Sequence, residues 1–414
     1  MPLTQLLFLS PRVPWPTDTG AKIRTNALLK ALTARFSIHY AGFLQPGLSR
    51  ARAQDYLNAS AILLKPEPAT TLPGKAWLGL RTLPNPSPVT LSKYWNRAIA
   101  DFVAQWDREY PGGIIHADHL HLGQYLPQAS RAIRVMDEHN VESRILERLA
   151  EHNRGRPWGL YLNLQARRMA RREAEVAAGA DLVLAVSEGD AADLSAMAPQ
   201  TRVEVIQNGV DLEYFAPPRV RRPNMNRLVF TGSMDWLPNS DAMIWFVGEI
   251  LPRLDLRPPR DGPWRLDIVG QNPPPAVRAL DSARVRVTGP VEDVRPFVNE
   301  AGVFVAPIRI GGGSRLKLLE AFASGIPVVS TSIGCEGLEV EHEKHLLIAD
   351  EPESFADAVD RLARQPRLRE ELTTRARALV EDRYGWDAIG RRLASLYESI
   401  LEQRSARKAN PVNG

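Results

Sequence analysis

Two α/β domains in series, each a doubly wound parallel sheet, are the architecture this sequence predicts. Three observations predict it. Short apolar runs of strand length alternate with longer helical patterns over nearly the whole chain, which is the signature of parallel βαβ units. A length of 414 residues is enough for two domains, each with its own core. Residues 217–226 are proline-rich, charged and free of periodicity, so they read as an interdomain linker.

In the first half, residues 6–9, 38–43, 113–116, 134–137, 182–187 and 203–207 are the expected strands. In the second they are 228–231, 265–269, 285–288, 303–307, 327–331 and 346–348. A first domain over 1–216 and a second over 226–385 follow. A closing helix over 386–403 carries apolar residues at Ile389, Leu393, Leu396 and Ile400, and the tail from Arg404 is expected to be disordered. Ligands of doubly wound sheets bind outside the carboxyl ends of the strands, so a central cleft faced by both domains is expected to hold the chemistry.

Composition narrows the function classes. Hydrophobic residues at 44% and charged residues at 24% are ordinary for a globular protein and exclude a fibrous repeat. The net charge of +4 is small for this length, and most Lys and Arg are interleaved with acids, which argues against nucleic acid as a partner. The lone Cys335 excludes an internal disulfide and any cysteine-built metal site, and it fits a reducing, cytoplasmic compartment. The N-terminal MPLTQLLFLS is too short and uncharged for a signal sequence and reads as a strand. No run approaches the roughly 20 apolar residues needed to cross a bilayer.

The most informative stretch runs from Val303 to Thr331: strand, the glycines Gly311, Gly312 and Gly313, then Ser314-Arg315-Leu316-Lys317-Leu318-Leu319-Glu320, then Gly325 and Pro327 before another strand. Ser314 is placed to cap a helix, Gly325 to stop it, and Pro327 to forbid its continuation. Glycines ahead of a helix N-terminus let backbone N–H groups reach a phosphate, and the helix dipole favours the negative charge. Lys317, Glu320 and Ser324 share one narrow polar stripe on an otherwise apolar helix, which must then face a solvated crevice. An exposed Lys317–Glu320 helix-surface pair after a merely tight turn is the alternative reading.

This stretch resembles the donor site of the family-4 retaining glycosyltransferases of the GT-B fold, whose pattern is Glu, seven residues, Glu, then Ala and a Gly-x-Pro-Val strand. Glu320 matches the second glutamate. Gly312 stands where the first belongs, as in the Gly-rich variant of transferases associated with exopolysaccharide and PEP-CTERM export systems. The resemblance implies a nucleoside-diphosphate sugar as donor, with Gly311, Gly312, Gly313, Ser314, Arg315, Leu316 and Lys317 at the diphosphate and Glu320 at the ribose. It implies a glycan or lipid-linked acceptor, retention of anomeric configuration, and no metal or other cofactor.

Other segments resemble the family in the same order. The proline-rich loop leading to Gly20 and Arg24 matches the loop that reaches the donor phosphate and frames the acceptor, though Pro and Gly after a strand also mean only a turn. Asn208-Gly-Val-Asp211 matches a structural turn. Gly232 follows the first strand of the second domain without the basic pair of many relatives, and Gly270 and Gly289 follow later strands where relatives cradle the base and sugar. Both of these are equally readable as strand-end turns. His139, at the end of the fourth expected strand, sits where related transferases place a histidine beside the donor sugar and is, with Glu320, the catalytic candidate; Asp137, Glu138 and Asn140 are its companions, with Arg24 and Asn140 on the acceptor side. His116, His119 and His121 have a spacing that suggests a metal, against which stands the lack of a suitably spaced fourth ligand. No Asp-x-Asp occurs, so leaving-group charge is expected to be met by helix dipole, amides and basic side chains.

A nucleotide-sugar epimerase on the same architecture and a silent nucleotide-sensing protein are the rival readings. Between Arg144 and Arg172, a basic helix with Trp158, Tyr161 and Leu164 suits peripheral contact with an anionic membrane at the inner face. A solvated helix with Glu147, Glu151 and Glu173 nearby is the plainer account.

Overall fold

A computed structural model describes residues 3–68, 88–221, 223–257, 262–311 and 315–409. The chain forms two compact units, Met1–Gln207 with Asp387–Gly414, and Asn208–Trp386. The division falls ahead of residue 216 because the segment after Asn208 packs within the second unit: Val210 N–H donates to the Tyr384 carbonyl at 2.7 Å, and Val210 and Phe215 join that unit's core. The presumed linker is also less slack than its composition suggests. Arg221 donates to the carbonyls of Gly325, Ala301, Val298 and Asn299, and a strand begins at Asn224.

The first unit is a seven-stranded sheet of order β3-β2-β1-β4-β5-β6-β7, made of β1 (Thr4–Ser10), β2 (Phe36–Leu44), β3 (Ala61–Pro66), β4 (Ile114–Asp118), β5 (Ile133–Asp137), β6 (Leu182–Ala185) and β7 (Arg202–Val205). Every pairing is parallel. Six strands lie where apolar runs predict them. β3 was not among the expected strands: it is an edge strand with Leu64 alone fully buried, and it ends on Pro66, which only an edge tolerates.

The second unit is a six-stranded sheet of order β10-β9-β8-β11-β12-β13: β8 (Asn224–Thr231), β9 (Arg265–Val269), β10 (Val285–Gly289), β11 (Ala301–Ala306), β12 (Val328–Ser330) and β13 (Leu347–Ile348). Apolar clusters cover its two faces, one around Phe230, Phe246 and Phe355, the other around Phe304, Phe322 and Tyr384. Continuous burial of β11 on both faces is what an uninterrupted apolar run such as AGVFVA produces.

Strand order reverses between β1 and β4 in the first unit and between β8 and β11 in the second. These are the switch points where loops diverge and a crevice opens in doubly wound sheets. Each unit is a doubly wound, Rossmann-like parallel sheet.

The closing helix runs Trp386–Ala409, past the point at which the sequence suggests disorder, and from Asp387 it belongs to the first unit. Ile389, Leu393, Ala394 and Tyr397 are its buried residues. It approaches the helix Gly20–Thr33 so closely that a Cβ on Gly390 would lie 2.4 Å from the Ala31 Cβ.

Candidate active site at two switch points

In the first unit, the carboxyl ends of β1, β4 and β5 bring together a buried polar network. Asp137 closes β5 and Asp118 closes β4, both wholly buried. Arg24, from the helix Gly20–Thr33, is 1% exposed and binds Asp137 with two nitrogens, at 2.6 Å and 3.2 Å. Its third nitrogen donates to the Ile206 and Gln207 carbonyls. Arg24, expected on the acceptor side, has its guanidinium engaged inside the unit.

His139 Nε2 lies 2.7 Å from Asp118 and 3.6 Å from Asp137. Asp118 also accepts from Ser10 Oγ at 2.8 Å and Thr25 Oγ1 at 2.9 Å. Burial alone would lower the His139 pKa, but contact with the two aspartates outweighs it and raises the value to about 9. Burial likewise opposes ionisation of Asp118, and His139 overcomes it to hold that carboxyl at about 2. Arg24, then His139, hold Asp137 well below the ordinary range. Two carboxylates meet two cations, and the network is charge-matched from within. His116, stacked on Phe8 at 4.4 Å, completes it through a 2.6 Å hydrogen bond to Tyr397 of the closing helix.

Above this network lies a cavity of about 220 Å³, lined among others by Arg12, Lys22, Tyr94, His119 and His121. It sits at the β1/β4 switch point. His119 adopts φ 74° and ψ 145°, a region glycine favours and other residues pay for with roughly 1–3 kcal/mol. Its N–H donates to the Asp137 carbonyl at 3.0 Å and its ring lies 3.6 Å from that of His139. Burial pushes His119 well below the ordinary histidine value, and burial with Lys93 takes His121 to about 4, so both present neutral imidazoles. Asn140 is half-buried and its side chain hydrogen-bonds Glu142, on the turn after His139.

Two trios in this region have ligand atoms within 4.8 Å of one another, Asp118-His119-His139 and His116-Asp118-Asp137. Their carboxylates have Arg24, His139 and two hydroxyl donors as partners.

The second unit's switch point is built differently. The helix Leu316–Ala323 stops as its sequence dictates: Gly325 takes φ 65°, Ile326 N–H reaches the Ala321 carbonyl and Gly325 N–H the Phe322 carbonyl, a Schellman closure. Gly312, Gly313 and Ser314 lie outside the described residues. Arg315 stands at the described N-terminal boundary without a side-chain cap, and its guanidinium packs on Gly311, where a Cβ would approach it to 2.7 Å.

Lys317 crosses from this helix to the loop after β8. Its Nζ donates to Asn239 Oδ1 at 2.7 Å, lies 3.9 Å from the centre of the Phe230 ring, and would be 2.9 Å from a Cβ on Gly232. Asn239 is itself held, its amide donating to the Ser233 carbonyl at 2.7 Å. Gly270 presses on the same loop: a Cβ there would fall 1.8 Å from the Gly232 carbonyl oxygen. Gly232, Gly270, Gly311, Arg315 and Lys317 thus converge on one place, and Leu316 sits half-buried beside them. Asn239 is the residue that sequence reasoning missed.

Burial pushes Lys317 well below the usual ammonium value, assisted by Arg315 and opposed by Glu320. Glu320 is half-buried; burial raises it to about 7, with Lys317 pulling the other way. Its carboxyl forms no ion pair with Lys317 among the described residues, which removes the exposed-pair alternative. Ser324, expected on the same stripe, is instead 3% exposed, because the stripe closes against the core at the last turn.

Comparison with known proteins fits both units. Residues 225–365 match the family model described as glycosyl transferases group 1, and residues 66–214 match that of glycosyltransferase family 4. A D-inositol 3-phosphate glycosyltransferase of Frankia alni is 28% identical over 256 residues, 55% of this chain and 61% of that protein. A GDP-mannose:cellobiosyl-diphosphopolyprenol alpha-mannosyltransferase of Xanthomonas campestris is 26% identical over 231 residues, 53% of this chain and 58% of that protein. The chain thus spans about three fifths of the length of these relatives. Among solved structures, sucrose-phosphate synthase from Thermosynechococcus elongatus superposes with a TM-score of 0.70 at 18% identity, over 97% of this chain and all of that one. Anabaena HepE, solved with UDP and glucose, gives 0.66 at 15% identity over 96% of this chain and all of that one.

Proposed function

From the premise that the chain belongs to the family-4 glycosyltransferases, we propose that it transfers a sugar from a nucleoside-diphosphate sugar to an acceptor hydroxyl. The observation that carries this reading is the cluster at the β8/β11 switch point: three glycine backbones, Lys317 held on Asn239, and a half-buried Glu320 with no ion pair to Lys317. Glycine backbones and a dehydrated ammonium suit a diphosphate, and a carboxylate one turn further suits a ribose diol. The leaving diphosphate is stabilised electrostatically by Lys317, Arg315 and the N-terminus of the helix Leu316–Ala323, without an ion. Lys317, lying against the loop after β8, takes the role of the basic pair absent there.

The acceptor belongs in the first unit's cavity, where neutral His119 and His121 offer imidazole N–H donors, and Arg12 and Lys22, paired with Glu67 and Asp18, offer cations to a molecule carrying phosphate near its nucleophilic hydroxyl. Two relatives are named for phosphorylated acceptors, an inositol phosphate and a diphosphopolyprenol-linked glycan. A lipid-linked glycan of exopolysaccharide assembly fits this chemistry and brings the enzyme to the inner membrane face. His139, locked between two aspartates, acts as a fixed cation that positions the cavity wall rather than as a proton acceptor. The reaction retains anomeric configuration, as the family relationship implies.

A panel of nucleoside-diphosphate sugars assayed for release of the nucleoside diphosphate, with and without membrane-extracted acceptors, tests the reading. Acceptor-dependent release with one donor is expected, and the anomeric proton of the product reports retention. Tight nucleotide binding without release from any donor would sink the transferase reading. A donor converted to another sugar nucleotide would point to epimerisation instead.

A further inference from the structure

The first unit carries an exposed apolar face that neither cluster uses. The helix Pro157–Gly179 buries Leu162, Ala166 and Met169 on one side, and the opposite side begins with Trp158, Leu160 and Leu164, which are 57%, 75% and 39% exposed. Trp158 and Tyr161 stack at 5.1 Å, so the apolar tip has a fixed shape. The tip is anchored from below: a Cβ on Gly159 would lie 2.4 Å from the Asn153 carbonyl oxygen, so the helix start is pressed onto the preceding turn.

Charge along this stretch of the helix has one sign. No Asp or Glu stands between Glu151 and Glu173, while Arg154, Arg156, Arg167, Arg168, Arg171 and Arg172 do. Glu173, the acid that ends this stretch, is turned inward: it is wholly buried and accepts the Glu142 N–H at 2.6 Å, capping the helix Glu142–His152. Arg167 and Arg171 are exposed and lie on the same side as Leu160 and Leu164, three to four residues apart along the helix. Arg172 pairs with Glu175, but apolar residues at one end of a solvent-facing helix side, followed by Arg167 and Arg171, match a surface that is hydrocarbon beneath and anionic above.

We propose that this face docks the first unit onto an anionic lipid bilayer, with Trp158, Leu160 and Leu164 entering the headgroup boundary and Arg167 and Arg171 on the lipid phosphates. The docking is independent of the transfer reaction. No helix among the described residues is long and apolar enough to cross a membrane, so attachment by this face is peripheral and reversible.

The test uses the full chain with vesicles of phosphatidylcholine alone or mixed with phosphatidylglycerol. Because Cys335 is buried, a polarity-sensitive fluorophore on Leu160→Cys labels the tip selectively. Co-sedimentation and a blue shift with the mixed vesicles only, both suppressed by salt, are expected. Two variants separate the contributions: Trp158→Ser/Leu160→Ser/Leu164→Ser, and Arg167→Glu/Arg171→Glu. Each changes exposed side chains, should keep the thermal midpoint, and should weaken vesicle binding at least about tenfold. Equal binding to neutral vesicles, a label that stays in water on bound vesicles, or unchanged binding by both variants would overturn the proposal. So would a triple variant that loses self-association while binding vesicles normally, which would make the face a contact between copies.

Discussion

The same topological feature is furnished in opposite ways in the two units. At the β1/β4 switch point the chain places two aspartates, an arginine and a histidine and lets them neutralise one another. At the β8/β11 switch point it removes side chains, at Gly232, Gly270 and Gly311, and holds one ammonium against an amide oxygen and an aromatic ring. The first arrangement is complete without a ligand, so it shapes a wall. The second leaves Lys317 without an ion-pair partner among the described residues, which under the proposed function the donor diphosphate supplies. A buried charge network and a charge-receptive site therefore differ less in residue types than in whether the charges are matched inside the protein.

Substitutions should separate the two along different axes. Asp137→Ala strands Arg24 as a buried cation, while His139 keeps Asp118, and should cost about 3–5 kcal/mol of stability, read by denaturant unfolding. Lys317→Met should do the reverse. Thermal stability stays level or rises, since a desolvated ammonium is removed, while kcat/KM falls by about 2.7–4 kcal/mol of lost transition-state stabilisation. If Lys317→Met unfolds the chain and keeps activity, the contrast between the two switch points collapses.

Gly270→Ala ranks next. Its Cβ would meet the Gly232 carbonyl at 1.8 Å, which backbone must relieve by moving, at about 1–3 kcal/mol; nucleotide affinity measured by calorimetry should fall with it. Gly248→Ala, with open space around its Cβ, is the matched control.

The pH responses should also diverge. Glu320, at about 7 in the folded chain against an ordinary 4.5, favours folding while protonated, and that contribution disappears as pH rises through 7. Ribose hydroxyls need the carboxylate, so nucleotide affinity should rise between pH 6 and 8, by at most about tenfold per unit, and Glu320→Gln should flatten the profile. His139, raised to about 9, contributes stability below its ordinary 6.5 that is lost as pH climbs through 9. The smallest effect is expected of Tyr397→Phe, which deletes one hydrogen bond to His116 and should cost about 0.5–1.5 kcal/mol.

What could be seen in the sequence follows from how local each signal is. The strands of both sheets announce themselves as apolar runs, and the helix Leu316–Ala323 carries its own stop in Gly325 and Pro327. β3 escaped although Ala61 to Leu64 is an apolar run of the same length, because at the sheet edge only Leu64 is fully buried and Lys65 and Pro66 follow. The site is harder, since its meaning lies in pairings. Arg24 stands at a helix start and reads as a surface residue until Asp137, 113 positions away, takes its guanidinium. His139 is recognisable by position, but the aspartates that fix its charge come from two strands. Lys317 and Glu320 are legible as a stripe, whereas Asn239, 78 positions from its lysine, offers no pattern at all. Spacing along the chain conveys helix faces and turns; it does not convey which distant group satisfies a buried charge.

The hydrogen bond between His116 and Tyr397 gives the molecule an order of assembly. During synthesis β4 emerges with His116 long before the closing helix exists, and the whole of Asn208–Trp386 must be translated in between. Until then the nascent first unit lacks Ile389, Leu393 and Tyr397 and leaves bare the surface they cover. The second unit, contiguous in the chain, can fold as it leaves the ribosome. The unit that starts first is therefore sealed last, and its polar network becomes whole only when the end of the chain returns to it.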